Sequence, residues 1–245
     1  MDKEVNQFQK GFEPITSEQM YSIENNGEKI IGMKKLIMME NAGAKIAEFL
    51  LNSFNNNLID KKIVFICGLG NNGGDAIVAS RHISSYLSSK ISMTDNNLVL
   101  ILLGKPEQIK TYESKTNWNI IEKIESIKKI FFNNDNKKEI EMEIQKSDII
   151  IDGLLGTGIK GKIKDPYSDI IDFINKQKSK SFILAVDIPS GLNPDTGEIT
   201  DKSIKADVTI TFHRIKQGLL KNKEQSGKIL PVKIGIPIEA ERGVI

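Results

Sequence analysis

The sequence predicts a three-layer α/β protein, doubly wound about a mainly parallel sheet, with a helical segment at its N-terminus. Three observations carry this prediction. Short apolar runs alternate with segments of helical periodicity along the chain. The first run, IVFIC at 63–67, is β-branched and aromatic without polar alternation, as suits a central strand buried on both faces. It leads directly into GLGNNGGD, a turn of little side-chain bulk, and then into Ala76, Ile77, Ser80, Ile83 and Leu87 at helical spacing.

Taken in order, residues 1–15 are polar and expected to be loosely held. Thr16 and Gln19 fit a capping box, so a short helix follows and ends near Gly27. A longer helix is expected over 32–52, with Leu36, Met39, Gly43, Ile46, Ala47 and Leu50 on one face. Gly43 suits close packing on a sheet. Glu40 reads better as part of that packing than as a site group, and Asn41 stays open between the two. A second core strand is expected at 98–103. Residues 107–146, interrupted by Asn133–Asn136, read as one or two helices covering the sheet, and Trp118 reads as packing. Strands are expected at 149–151, 182–186, 206–212 and 232–234, with a helix at 167–176 whose Ile170, Ile171 and Ile174 point inward. No linker or repeat divides the 245 residues, so they read as one domain with N-terminal helices at 16–52.

Composition excludes several classes. A net charge of +2 is too balanced for a nucleic-acid binder. No apolar run reaches membrane-spanning length, and the first ten residues lack a signal core, so a cytoplasmic protein is expected. The single cysteine, Cys67, lies in the first strand. It cannot form an internal disulfide and reads as a buried small hydrophobe rather than a nucleophile.

The chemistry concentrates in three loops at strand C-terminal ends, where ligands bind in open parallel sheets. Gly68, Gly70 and Gly73 fit G-x-G-x-x-G, a weak signal alone, but the Asn71, Asn72 and Asp75 side chains make it unusual. Glycines between strand and helix let backbone N–H groups approach a phosphate. Asp152 ends the strand at 149–151 and precedes another glycine-rich loop with Thr157. Asp187 ends the strand at 182–186, before Pro189, Ser190 and Gly191. Asn72, Asp152 and Ser190 form an oxygen-rich set suited to a hard cation. Cys/His clusters are absent, which argues against zinc, and no G-K-[ST] follows the glycines, which argues against an ATPase loop. A dehydrogenase would want an acid closing the second strand, but Gly104, Lys105 and Pro106 stand there before Glu107. His82 and His213 read as structural or surface groups. Lys216 reads either as a phosphate contact or as a solvated lysine.

Gly-Asn-Asn-Gly-Gly-Asp at 70–75, Asp-Gly-Leu-Leu-Gly-Thr-Gly at 152–158 and Val-Asp-Ile-Pro-Ser-Gly-Leu at 186–192 resemble the signatures of the NAD(P)H-hydrate epimerase family. Met-Glu-Asn-Ala-Gly at 39–43 and Ile-Gly-Ile-Pro at 234–237 resemble it too, so the match runs over residues 17–237. The resemblance implies a Rossmann-like fold and the interconversion of the R and S forms of hydrated NADH and NADPH (NADHX and NADPHX). These are damaged cofactors, and a dehydratase specific for the S form restores them. The family often carries that dehydratase in the same chain, whereas the resemblance here covers an epimerase domain alone. It implies substrate contacts at Asn71, Asn72, Gly73, Gly74 and Asp75, at Gly156, Thr157, Gly158, Ile159, Lys160, Gly161 and Lys162, and at Tyr167 and Asp187. It also implies a potassium ion at Asn72, Asp152 and Ser190, and a homodimer through 16–52. Ala76 departs from the glycine frequent in the family, a small change. Asp187 is the candidate catalytic acid–base at ring carbon 6, which carries the hydroxyl. Two alternatives remain: an NAD(P)-dependent dehydrogenase, since Lys105 could suit a phosphorylated ribose, and a non-catalytic nucleotide-binding scaffold of the same fold, against which the joint presence of Asn72, Asp75, Asp152, Asp187 and Ser190 argues.

Overall fold

A computed structural model describes residues 11–89, 97–158, 161–199 and 201–245. Of the segment expected to be loosely held, residues 1–10 lie outside this description. Ile15 is buried, and its N–H donates to the Ile215 carbonyl at 2.8 Å. Helix α1 (Ser17–Lys29) begins at the predicted capping box: Thr16 Oγ1 accepts the Gln19 N–H at 3.1 Å, and Gln19 Oε1 accepts the Thr16 N–H at 2.9 Å. Asp195 adds a tertiary cap by accepting the Ser17 N–H at 2.7 Å. Thr16→Ala is expected to cost about 1 kcal/mol, the usual worth of an N-cap. Chemical denaturation checks this through a lower midpoint at unchanged slope.

Helix α2 (Lys35–Ser53) starts three residues later than expected and packs at Gly43 against a helix rather than the sheet. A Cβ at Gly43 would stand 2.4 Å from the Val78 side chain on α3 (Asn71–Ser88). Strand β1 (Ile63–Cys67) has the predicted bounds and is fully buried. Its pleat divides it between two cores. Ile63, Phe65 and Cys67 face the layer that includes α1, α2 and α3, while Val64 and Ile66 face the opposite layer. Burial pushes the Cys67 thiol far above its ordinary pKa, which keeps it inert.

The remaining elements are β2 (Leu98–Leu102), α4 (Tyr112–Ile121), β3 (Lys128–Phe131), α5 (Lys137–Gln145), β4 (Ile149–Gly153), α6 (Tyr167–Asn175), β5 (Phe182–Val186), β6 (Val208–Phe212), α7 (Gln217–Lys221), α8 (Lys223–Ser226) and β7 (Lys228–Val232). The seven strands pair in parallel throughout, in the order β3-β2-β1-β4-β5-β6-β7. Helices α5 and α6 cover the second face, with Ile170, Ile171 and Ile174 inward as expected. Trp118 is buried packing.

Strands β2, β4 and β6 differ from expectation by one or two residues at an end, and two strands differ more. Strand β3 occupies part of the region read as purely helical. It is an edge strand whose two lysines break the apolar pattern, and Lys128 instead bridges Glu139 at 2.7 Å and Glu143 at 2.8 Å on α5. Strand β7 runs over 228–232, earlier than predicted. It tolerates Pro231 because it is the other edge.

Candidate active site

The chain leaves β1 toward β2 and β3 on one side, then returns to add β4 on the other. The loops after β1 and β4 therefore meet at the topological switch point, where open α/β sheets bind ligands. The fit between them is tight. A Cβ at Gly68 would lie 1.9 Å from the Leu154 carbonyl oxygen, and one at Gly73 2.0 Å from the Gly68 carbonyl oxygen. Only glycine permits such backbone contact.

The turn is shorter than the sequence suggested. Gly70 is the N-cap of α3, so Asn71, Asn72, Gly73, Gly74 and Asp75 belong to the helix and not to the preceding loop. No side chain caps this end. Its first backbone N–H groups, with the positive end of the helix dipole, form an anion-binding terminus.

In front of it lies a cavity of about 400 Å³, in the range for small-molecule sites. Of the expected substrate contacts, Asn71, Asn72, Gly73, Asp75, Gly156, Thr157, Gly158, Tyr167 and Asp187 line it. Gly74 lies behind the wall, against Ser114 and Met39. Gly161 and Lys162 are exposed away from it. Ile159 and Lys160 fall outside the described residues.

Asp187 is held firmly. Its backbone adopts φ 59°, a left-handed conformation rare outside glycine, asparagine and aspartate. Three donors converge on Oδ1: Lys216 Nζ at 2.5 Å, Thr211 Oγ1 at 3.1 Å and the Phe212 N–H at 3.1 Å. Oδ2 has no partner among the described residues and is the oxygen left for a ligand. Lys216 is neither solvated nor a simple surface contact. It is 1% exposed, its Nζ also donates to the Phe212 carbonyl at 3.0 Å, and it closes a salt bridge with Asp187.

Beneath the cavity, Asp152 is fully buried, and among the described residues no cationic side chain pairs with it. Oδ1 accepts from Ser190 Oγ at 2.5 Å and the Leu154 N–H at 3.2 Å, and Oδ2 accepts from the Ser190 N–H at 2.8 Å. Burial, partly offset by these bonds, raises its pKa to about 6. Asn72 Nδ2 donates to the Leu155 carbonyl at 3.1 Å, which orients the amide oxygen as a free acceptor. The Ser190 hydroxyl accepts the Leu155 N–H at 2.8 Å. Asn72, Asp152 and Ser190 thus stand in one hydrogen-bonded cluster of oxygen donors around a carboxylate lacking a countercharge. That donor chemistry fits a hard cation.

Other polar residues weighed from the sequence have structural roles. Glu40 pairs with Arg81 and with His82 at 2.8 Å. Asn41 donates to the Ile234 carbonyl at 2.8 Å. His213, buried, meets Glu241 at 2.8 Å, and burial lowers its pKa to about 4. Several charged cavity groups carried no sequence signal: Lys35, Lys110, Glu113 and, on α1, the partly buried Glu24, whose carboxyl is pushed upward chiefly by burial.

The sequence profile of the family described as YjeF-related protein N-terminus matches residues 35–218. A protein of Nitrosopumilus maritimus named NAD(P)H-hydrate epimerase is 44% identical over 231 residues, covering 94% of this chain and 99% of its own. The chain belongs to the NAD(P)H-hydrate epimerase family. A bifunctional NAD(P)H-hydrate repair enzyme of Hyperthermus butylicus is 37% identical, and the match covers 93% of this chain and 39% of that longer one. A crystallised yeast protein superposes with a TM-score of 0.71 at 23% identity, covering 87% of this chain and 86% of the yeast one, which shows the shared fold. Among the described residues no helix is long and apolar enough to cross a membrane.

Proposed function

We propose that this chain interconverts the R and S forms of hydrated NADH and NADPH, so that an S-specific dehydratase can return both to the normal cofactor. Family membership supports the reaction. The observation that carries the mechanism is Asp187 at the cavity, with Oδ1 saturated by three donors and Oδ2 free. The uncapped α3 terminus takes the substrate phosphates. The ring nitrogen pushes the hydroxyl off carbon 6 as an iminium forms, and water returns on the opposite face. Asp187 exchanges a proton with the departing or arriving oxygen, and Lys216 fixes its orientation. A positioned acid–base of this kind contributes about 10²–10⁴-fold.

A potassium ion at Asn72, Asp152 and Ser190 is part of the proposal. When bound it supplies positive charge beneath the phosphate-binding turn. Replacing potassium by a bulky organic cation is expected to weaken NADH-hydrate binding about tenfold, equivalent to about 1.4 kcal/mol. Titration in the two salts reads this, and the Asp152→Ala protein should show no difference between them. Work in the cytoplasm agrees with the reduced, buried Cys67. Pairing of two copies through α1 and α2 agrees with the exposure of Tyr21 and Ile37 there.

The test of the reaction uses a fresh R/S mixture of NADH hydrate and an S-specific dehydratase, followed by recovery of NADH absorbance. With this protein added, the slow R fraction is expected to convert as fast as the S fraction. An R fraction as slow as the control would overturn the epimerase reading.

A further inference from the structure

Inversion at one carbon presents a geometric demand. The hydroxyl leaves from one face of the ring and water arrives at the other. Asp187 rises from the end of β5 and is held by three bonds to Oδ1 and a left-handed backbone, so it cannot swing around the ring. The cavity contains a second carboxyl that the mechanism above does not use. Asp75 projects from α3, whereas Asp187 stands at the end of β5, so the two carboxyls enter the cavity from different elements. It is 9% exposed, lines the cavity, and makes no hydrogen bond with any described residue. A carboxyl so placed is costly to ionise without a partner.

We propose that Asp75 is a second proton-transfer group, serving one face of the reacting ring while Asp187 serves the other. This rests on the epimerase reading. The surroundings favour a protonated Asp75. Burial is the main influence, and the nearby Asp187 and Glu24 carboxylates also push its pKa well above the ordinary range, while Lys216 opposes them. Asp187, salt-bridged to Lys216, is the complementary acceptor.

The chemistry balances between the two. Asp75 gives its proton to the carbon 6 hydroxyl. The C–O bond breaks with its electron pair leaving on oxygen as water, and the nitrogen lone pair forms the N=C bond. Water then adds from the other face. Its oxygen forms the new C–O bond, the π electrons return to nitrogen, and the surplus proton passes to Asp187 Oδ2. Turnover of the opposite epimer runs the same steps backward, or solvent exchange resets both carboxyls.

The experiment uses each pure epimer of NADH hydrate carrying ¹⁸O on carbon 6, with wild type, Asp75→Asn and Asp187→Asn. Both variants should lose inversion by about 10²–10⁴-fold in kcat, with KM changed only a few-fold. Each should still wash out label from one epimer, a different epimer in each variant, because the surviving carboxyl serves only its own face. Asp75→Asn should melt at or above the wild-type temperature, since it removes an unpartnered buried carboxyl. Asp75→Ser, smaller and uncharged, is the second variant should Asp75→Asn fold poorly. Inversion by the Asp75 variants within about tenfold of wild type would overturn the proposal, as would loss of washout from both epimers in either variant. A wild-type protein that neither inverts nor exchanges would instead remove the epimerase reading, and the Asp75 role with it.

Discussion

Asp187→Asn is expected to lower kcat for epimerisation by about 10²–10⁴-fold while the fold survives. Asparagine keeps an oxygen for Thr211 and the Phe212 N–H, and it tolerates the left-handed φ of 59° better than any other substitute except glycine. It cannot take a proton. It also leaves the 1%-exposed Lys216 without its countercharge, and breaking a buried ion pair costs up to about 3–5 kcal/mol. The protein should therefore melt lower but cooperatively, and kinetics are to be measured below the new transition. Adding Lys216→Met removes the orphaned cation, so the double variant should regain stability without regaining activity. Near-normal turnover by a folded Asp187→Asn protein would take Asp187 out of the mechanism.

Gly68→Ala is expected to have a large effect on stability for a single methyl group. The added Cβ would sit 1.9 Å from the Leu154 carbonyl oxygen, and both partners are backbone, so no side-chain rotation relieves the overlap. The loop after β4 must move, at a cost of about 3 kcal/mol or more. For a chain of this size, that lowers the melting temperature by about 6–12 °C. Gly70→Ala is the control two residues away, where a Cβ meets nothing within 4 Å and φ is −107°. Its melting temperature should fall by no more than about 4 °C, the worth of alanine replacing glycine at an N-cap, since the overlap is absent. Equal melting of the two variants would mean that β1 and the β4 loop do not approach as described.

Much of the site was legible because its signals are local. A run of β-branched residues followed by small ones marks a buried strand that ends in a close backbone turn. That pattern located β1 and β5 to the residue and placed Asp152 and Asp187 at strand ends. The capping box at Thr16 is local in the same way, since both partners lie within one helical turn. Strand β3 was missed because an edge strand needs only one buried position in this segment, Ile130, and its lysines read as a helix surface. The placement of 71–75 in a loop failed because glycine and asparagine are poor helix formers by propensity. Here packing of α3 on the sheet and on α2 overrides that preference, and the glycines are required by backbone contact.

By itself the sequence determined the fold class, the strand ends that carry carboxylates and the close glycine turn after β1. Each is set by residues a few positions apart. The tertiary structure alone decided the electrostatics of the site. Lys216 reaches Asp187 from 29 residues away, and Asp75 shares the cavity with Glu24, Asp187 and Lys216 from three other segments. Which charges face one another depends on the strand order, which carries the chain out to β3 and back across β1. No window of neighbouring residues contains that information.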